Sequence, residues 1–259
     1  MTPILPLTPM AAGALLAAFA LGLIAYTAYD RREYRTFKAL TQTRDRQRHY
    51  RKWVLVSFVL FGLSSLSLLW LFGDLPAVLE IPAALRGPFS AWIGKAQGAL
   101  GQGALWLFLG GVAGGLVGGA AIAVLLRRRS PAKKPAIVGD VESLLPRNRA
   151  EGAWAALLSV NAGLSEEIFF RLLLPLLVTA LTGDALTGFL GAAAAFGLVH
   201  AYQGVWGVVA TGVMGLVFSA IYVLTGSLFV VIALHALVDL RALVLAPALD
   251  ALFTRRRPA

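Results

Sequence analysis

The chain has 259 residues, is 58% hydrophobic and only 14% charged, and has a mean hydropathy of +0.76. Soluble globular chains run nearer half apolar and a quarter charged, so this composition excludes an ordinary soluble enzyme and a disordered protein and points to membrane spans. The net charge of +10 does not argue for nucleic acid, because 19 of the 23 basic residues lie in three stretches beside long apolar runs, as in cytoplasmic loops of membrane proteins.

A spanning helix needs about 20 mostly apolar residues. The first such run is Met10–Tyr29. It lacks a basic n-region and is too long for a signal h-region, so it reads as a retained anchor. Asp30 to Lys52 follows with nine Lys/Arg, and then comes the second run, Trp53–Phe72. The segment between Gly73 and Gly103 is nearly neutral, with Arg86 and Lys95 balanced by Asp74 and Glu80.

The third run, Ala104–Leu126, carries Gly110, Gly114 and Gly118, and also Gly111, Gly115 and Gly119. Such small-xxx-small stripes let helices approach closely in lipid. A phosphate-binding loop would need a preceding strand and a following Lys-Ser/Thr, and neither is present. Arg127 to Ala150 adds seven basic residues, with Pro131, Pro135 and Pro146, and reads as a linker. Four more runs follow: Gly152–Thr182, Ala185–Tyr202, Val205–Leu224 and Ser227–Phe253. The chain then reaches Arg255, Arg256 and Arg257.

The predicted fold is therefore all-α, a polytopic transmembrane bundle of about seven spans, or eight if the last run breaks near Pro247. Basic stretches after spans one, three and seven place the N-terminus outside and the C-terminus in the cytoplasm, as expected for an integral protein of a bacterial plasma membrane. Residues 1–151 form an N-terminal region of three spans and two basic loops. Residues 152–259 form the core that carries the chemistry.

From Ala185 to Val238 there is no Asp, Glu, Lys or Arg, so the ionisable groups bordering or inside this stretch are informative. Span four contains Ser165-Glu166-Glu167-Ile168-Phe169-Phe170-Arg171. Glu167 and Arg171 are four apart and share a helix face, where pairing offsets the cost of burial. Glu166 points about 100° away and lacks that partner. A carboxylate without a partner in apolar surroundings suits a general base. A solvated interfacial position for both glutamates is the plainer alternative.

Of three histidines, His49 lies in a basic loop, while His200 and His235 lie in spans five and seven. A lone histidine in an apolar helix is more often packing than catalysis. Two histidines beside an unpaired glutamate shift that balance. Glu166 and His200 each lie 17 residues from Gly183, so each sits ~25 Å from the same turn and they can face each other. His235 is nine residues past Gly226, about 14 Å from its turn, and does not match that depth.

Glutamate and histidine at one depth can activate water for attack on a carbonyl, with a second histidine facing the developing oxyanion. That chemistry is acyl-bond hydrolysis, most simply of a peptide. His-Glu-x-x-His, Gly-x-Ser-Gly and Gly-x-Gly-Asp, the marks of other intramembrane proteases, are absent.

Glu166-Glu167-x-x-x-Arg171, then Phe196-x-x-x-His200, then His235-x-x-x-Asp239 resembles the three-motif signature of the CPBP family. These are the CAAX-processing and bacteriocin-processing intramembrane endopeptidases, also called the Abi family. The resemblance covers Gly152 to Phe253. It implies that Glu166 is the base working with His200, that His235 and Asp239 stabilise the oxyanion, that Glu167 and Arg171 orient the site, and that Phe196 shapes the substrate pocket. The CAAX-processing branch usually has Asn at the place of Asp239. An ionised Asp accepts hydrogen bonds but cannot donate one to an oxyanion, so Asp239 is either protonated or orients His235.

The family resemblance leaves the cofactor open: none, or a single zinc on Glu166, His200 and His235 with one position left for water. The expected partners are the lipid bilayer and a membrane-associated protein or peptide substrate, with no nucleic acid. The rival readings are a non-catalytic adaptor or immunity-type protein that retains the motifs, and a small transporter with a Glu166–His200 proton relay. Transporters of that kind often show internal symmetry, and none is visible here.

Overall fold

The computed structural model describes residues 8–129 and 139–249. Pro131 and Pro135 of the linker, the end of the last apolar run and Arg255 to Arg257 lie outside the described residues. Among the described residues every regular element is helical. We number the longer helices α1 (Pro9–Lys38), α2 (Thr43–Leu71), α3 (Ser90–Leu100), α4 (Gln102–Arg129), α5 (149–182), α6 (Ala185–Val199), α7 (Gly204–Thr225) and α8 (Leu228–Leu249). Helices cover all seven predicted apolar runs within those limits. Among the described residues four helices are long and apolar enough to cross a membrane: Pro9–Lys38, Thr43–Leu71, Ala201–Thr225 and Leu228–Leu249.

The helix ends follow local chemistry. The Thr8 hydroxyl accepts a hydrogen bond from the Ala11 N–H, and Pro9 opens α1, where its missing N–H costs nothing. The Asp184 carboxylate accepts from the Leu186 and Thr187 N–H groups at the start of α6. Gly183 and Gly226 end α5 and α7 with φ of 75° and 70°, a conformation that favours glycine.

Two of the three π-helical turns among the described residues, Ile168–Leu173 and Arg241–Leu245, each end two residues before a proline, Pro175 and Pro247; the third, Phe58–Leu63 in α2, has no proline near it. A proline ring clashes with the carbonyl four residues back, and a widened turn relieves that clash without breaking the helix. The alternative of a break near Pro247 is not seen among the described residues; α8 runs on to Leu249.

α5 is the centre of the bundle, with α1, α2, α6 and α8 packed around it. Every residue from Ser165 to Leu177 is buried, so this helix is enclosed on all sides. Phe61 of α2 meets Phe169 and Phe170, both at 5.3 Å between ring centres, and Phe19 of α1 meets Phe169 at 5.1 Å. Glycines set the closest approaches. A Cβ added at Gly163 would lie 2.8 Å from the backbone nitrogen of Ala236 in α8. One at Gly188 would lie 2.8 Å from the Pro175 carbonyl oxygen, and one at Gly197 would lie 2.7 Å from that of Val208.

One expectation is corrected. Among the described residues the glycine stripes of α4 do not pack against the rest of the chain: a Cβ at Gly110, Gly111, Gly114, Gly115, Gly118 or Gly119 would meet nothing within 4 Å. The 73–103 segment is partly helical. Apolar residues four apart, Ala77, Ile81 and Leu85, are buried, and the segment folds back over the bundle before α3 begins.

At the opposite end, Arg46 of α2 and Glu151 of α5 form a fully buried ion pair at 2.9 Å. Arg46 also donates to the Ser143 and Leu145 carbonyls at 3.0 and 3.1 Å and lies over the Phe37 ring at 4.1 Å. The Tyr50 hydroxyl donates to the Leu144 carbonyl at 2.6 Å. These bonds fasten the segment before α5 to the first two helices.

Candidate active site

The motif residues come from three helices of the bundle. Glu166, Glu167 and Arg171 sit in the buried middle of α5, the last of them on its π turn. Phe196 is near the end of α6, and His200 caps that end. His235 and Asp239 lie one turn apart on α8. The close approach at Gly163 brings α8 onto α5 and sets His235 beside Glu167. His235 thus reaches Glu167 despite the mismatch in depth expected from its distance to Gly226.

Glu167 is the hub of the inner layer. Its carboxylate lies 3.0 Å from Arg171 Nε and accepts from Nη2 at 3.3 Å. It also meets His235 Nδ1 at 2.6 Å, with both Glu167 and Arg171 fully buried. A carboxylate only accepts, so His235 carries a proton on Nδ1. Its Nε2 faces Asp239 Oδ2 at 3.8 Å, too far for a hydrogen bond.

Phe196 lies between the charged groups: 4.8 Å from the His200 ring, 5.8 Å from the His235 ring, and 4.7 Å from the Arg171 guanidinium carbon. That guanidinium sits over an aromatic face, which favours a buried cation. Phe196 is 2% exposed and is not among the residues that line the cavity described next.

A cavity of about 90 Å³ is lined by Glu166, His200 and Asp239, together with Tyr26, Asp30, Tyr34, Trp53 and Tyr202. Glu166 is 9% exposed, and its Oε2 has no hydrogen-bond partner among the described residues. The His200 Nδ1 meets the Phe196 carbonyl at 2.7 Å. A carbonyl only accepts, so Nδ1–H donates and the neutral ring keeps its free lone pair on Nε2. A second cavity, of about 200 Å³ and lined by Arg86, Gln97, Trp106 and Thr225 among others, holds none of these motif residues.

The donor set does not fit zinc. Among the described residues no group of three or more His, Asp or Glu is placed to hold a metal ion. The Nδ1 bonds of His235 and His200 leave Nε2 of each ring free to ligate, but Glu166 does not join them in one group.

Sequence reasoning missed the contribution of the first two helices. Asp30, Tyr26, Tyr34 and Trp53 face the same cavity as Glu166. The sign in the sequence is Asp30, an acidic residue at the end of the first apolar run, where it opens a basic loop.

Fold and site together define an integral membrane helical protein with a buried carboxylate–histidine centre. A family model described as Rce1-like, type II CAAX prenyl endopeptidase Rce1-like, matches residues 149–241. Over that segment, about a third of the chain, the sequence is similar to the CAAX prenyl endopeptidase family. No curated protein and no solved structure matches the chain.

Proposed function

We propose that the chain is an intramembrane endopeptidase that hydrolyses a peptide bond of a membrane-associated protein or peptide. The observation that carries this reading is the convergence of Glu166, His200 and Asp239 on one cavity, backed by the Glu167–Arg171–His235 network. The Glu166 carboxylate, whose Oε2 has no hydrogen-bond partner among the described residues, takes a proton from a water held at His200 Nε2. The water oxygen bonds to the carbonyl carbon, and charge develops on the carbonyl oxygen.

His235, when protonated on both nitrogens, directs Nε2–H to that oxygen while Glu167 holds Nδ1. Asp239, 3.8 Å from His235 Nε2, faces the protonated ring as a counter-charge rather than binding the oxyanion directly. Glu166 then passes its proton to the leaving nitrogen, and the C–N bond breaks to an acid and an amine. Residues 152–259 supply this chemistry, and residues 1–151 supply one wall of the cavity. In the bilayer we place seven spans, with the N-terminus outside and the basic loops in the cytoplasm.

The test is cleavage of fluorogenic membrane-proximal peptides by the purified protein in detergent, with and without a zinc chelator. Glu166→Ala and His200→Ala should each lose about 10²–10⁴-fold in rate. Cleavage by the wild type should survive chelation. Glu166→Ala cleaving at the wild-type rate would overturn the proposal.

A further inference from the structure

The cavity that receives Glu166 has an unusual charge balance. Three carboxylates line it, Asp30, Glu166 and Asp239, and no lysine or arginine does so among the described residues. Asp30 and Glu166 are 6% and 9% exposed. Carboxylates in such a place need a cation or a hydrogen-bond donor to offset their desolvation. Tyr34 and Trp53 also line the cavity and are more than nine-tenths buried; the Tyr34 hydroxyl, Trp53 Nε1 and Glu166 Oε2 make no hydrogen bond among the described residues, although the Trp53 N–H lies near the Asp30 carboxylate. Donors and acceptors left open around one cavity point to something polar that fills it.

The walls narrow the choice. Tyr26, Tyr34, Trp53, Phe61 and Tyr202 surround the carboxylates with aromatic surface. Aromatic rings around carboxylates suit an ammonium or guanidinium group, whose charge meets the acids and whose stem meets the rings. A volume of about 90 Å³ admits such a head and the end of its stem. The overall charge of the protein is +10, so general electrostatics repel a cationic peptide. Any preference for one must come from a local site.

Resting on the protease reading above, we propose that this cavity binds a lysine or arginine side chain of the substrate, with Asp30 as the residue that selects it. Substrates of this class are peptides with a basic residue at the membrane edge, where cytoplasmic Lys and Arg are concentrated in membrane proteins. Asp30 lies outside the family match at 149–241, so this selectivity belongs to the N-terminal helices of this chain.

The test uses fluorescein-labelled hexapeptides in which lysine is walked through the six positions, each paired with a norleucine twin. Binding to the full-length protein in detergent is read by fluorescence anisotropy, and cleavage of the same peptides is read in parallel. At one position the lysine peptide should bind roughly tenfold or more tighter than its twin, the scale of a charge-assisted contact. Asp30→Asn should reduce that ratio to near one, and Asp30→Glu should restore most of it. A merely structural role for Asp30 would lower the affinity for both twins and leave their ratio intact. Equal binding of all twins by the wild type, or an unchanged ratio in Asp30→Asn, overturns the proposal. A lysine preference in binding without cleavage of any peptide supports the cation site and counts against the protease reading. Cleavage without preference does the reverse.

Discussion

Glu167 carries the most consequences of any single side chain in the bundle. It is fully buried, and it holds both the Arg171 guanidinium and His235 Nδ1. Removing its charge leaves Arg171 buried without a counter-charge, and breaking a buried pair in this way costs about 3–5 kcal/mol. Glu167→Gln should therefore lower the melting temperature in detergent markedly. It should also reduce cleavage, because His235 loses the partner that orients it. Glu166→Gln differs: no ion pair is broken, so stability should stay within about 1 kcal/mol of wild type while cleavage falls. Thermal melts and kinetics on the same two preparations separate a residue that holds the site from one that acts in it.

Helix contacts are governed here by where glycine is, and by whether anything faces it. At Gly163 the backbone of α8 leaves no space for a Cβ, which would lie 2.8 Å from Ala236 N. Gly163→Ala must push α8 away, at about 1–3 kcal/mol. His235 is next to Ala236, so cleavage should fall together with stability. The α4 glycines give the opposite expectation. Gly114 has nothing within 4 Å, and Gly114→Ala should change the melting temperature by less than about 0.5 kcal/mol equivalent. If Gly114→Ala destabilised the purified monomer as much as Gly163→Ala, the packing described for α4 would be wrong.

Across the whole molecule, the N-terminal helices are tied to the core at two levels. Inside, Asn161 of α5 donates to the Ser57 hydroxyl of α2 at 2.7 Å. At the end bearing the basic loops, Arg46 and Glu151 join α2 to α5. Glu151 lies just before the apolar run of α5. Burial disfavours its charge, but the Arg147 N–H and the Arg46 guanidinium outweigh that and hold its carboxyl below the ordinary 4.5. A depressed carboxyl contributes stability that is fully present above its unfolded value and is lost as pH falls through the folded one. The melting temperature should therefore drop as pH is lowered below 4.5, and Arg46→Met should flatten that dependence. A melting temperature with the same acid slope in Arg46→Met would show that this pair does not couple the two regions.

Much of this protein was legible in its sequence for a simple reason. In lipid, backbone groups must be satisfied within the helix, so apolar run length reports the elements directly. A near absence of charge through the last spans made the motif residues conspicuous, and the i,i+4 spacing of Glu167 and Arg171 was enough to foresee their pairing. What the sequence could not give was contact between helices far apart in the chain. Nothing in one dimension says that Gly163 admits α8, that His235 reaches Glu167, or that two π turns absorb Pro175 and Pro247. The placement of Asp30 is the sharpest case. By sequence it opens a basic loop; by tertiary packing it lies in the cavity with Glu166, because α1 and α2 close against α5 and bring 136 residues of separation down to one shared wall.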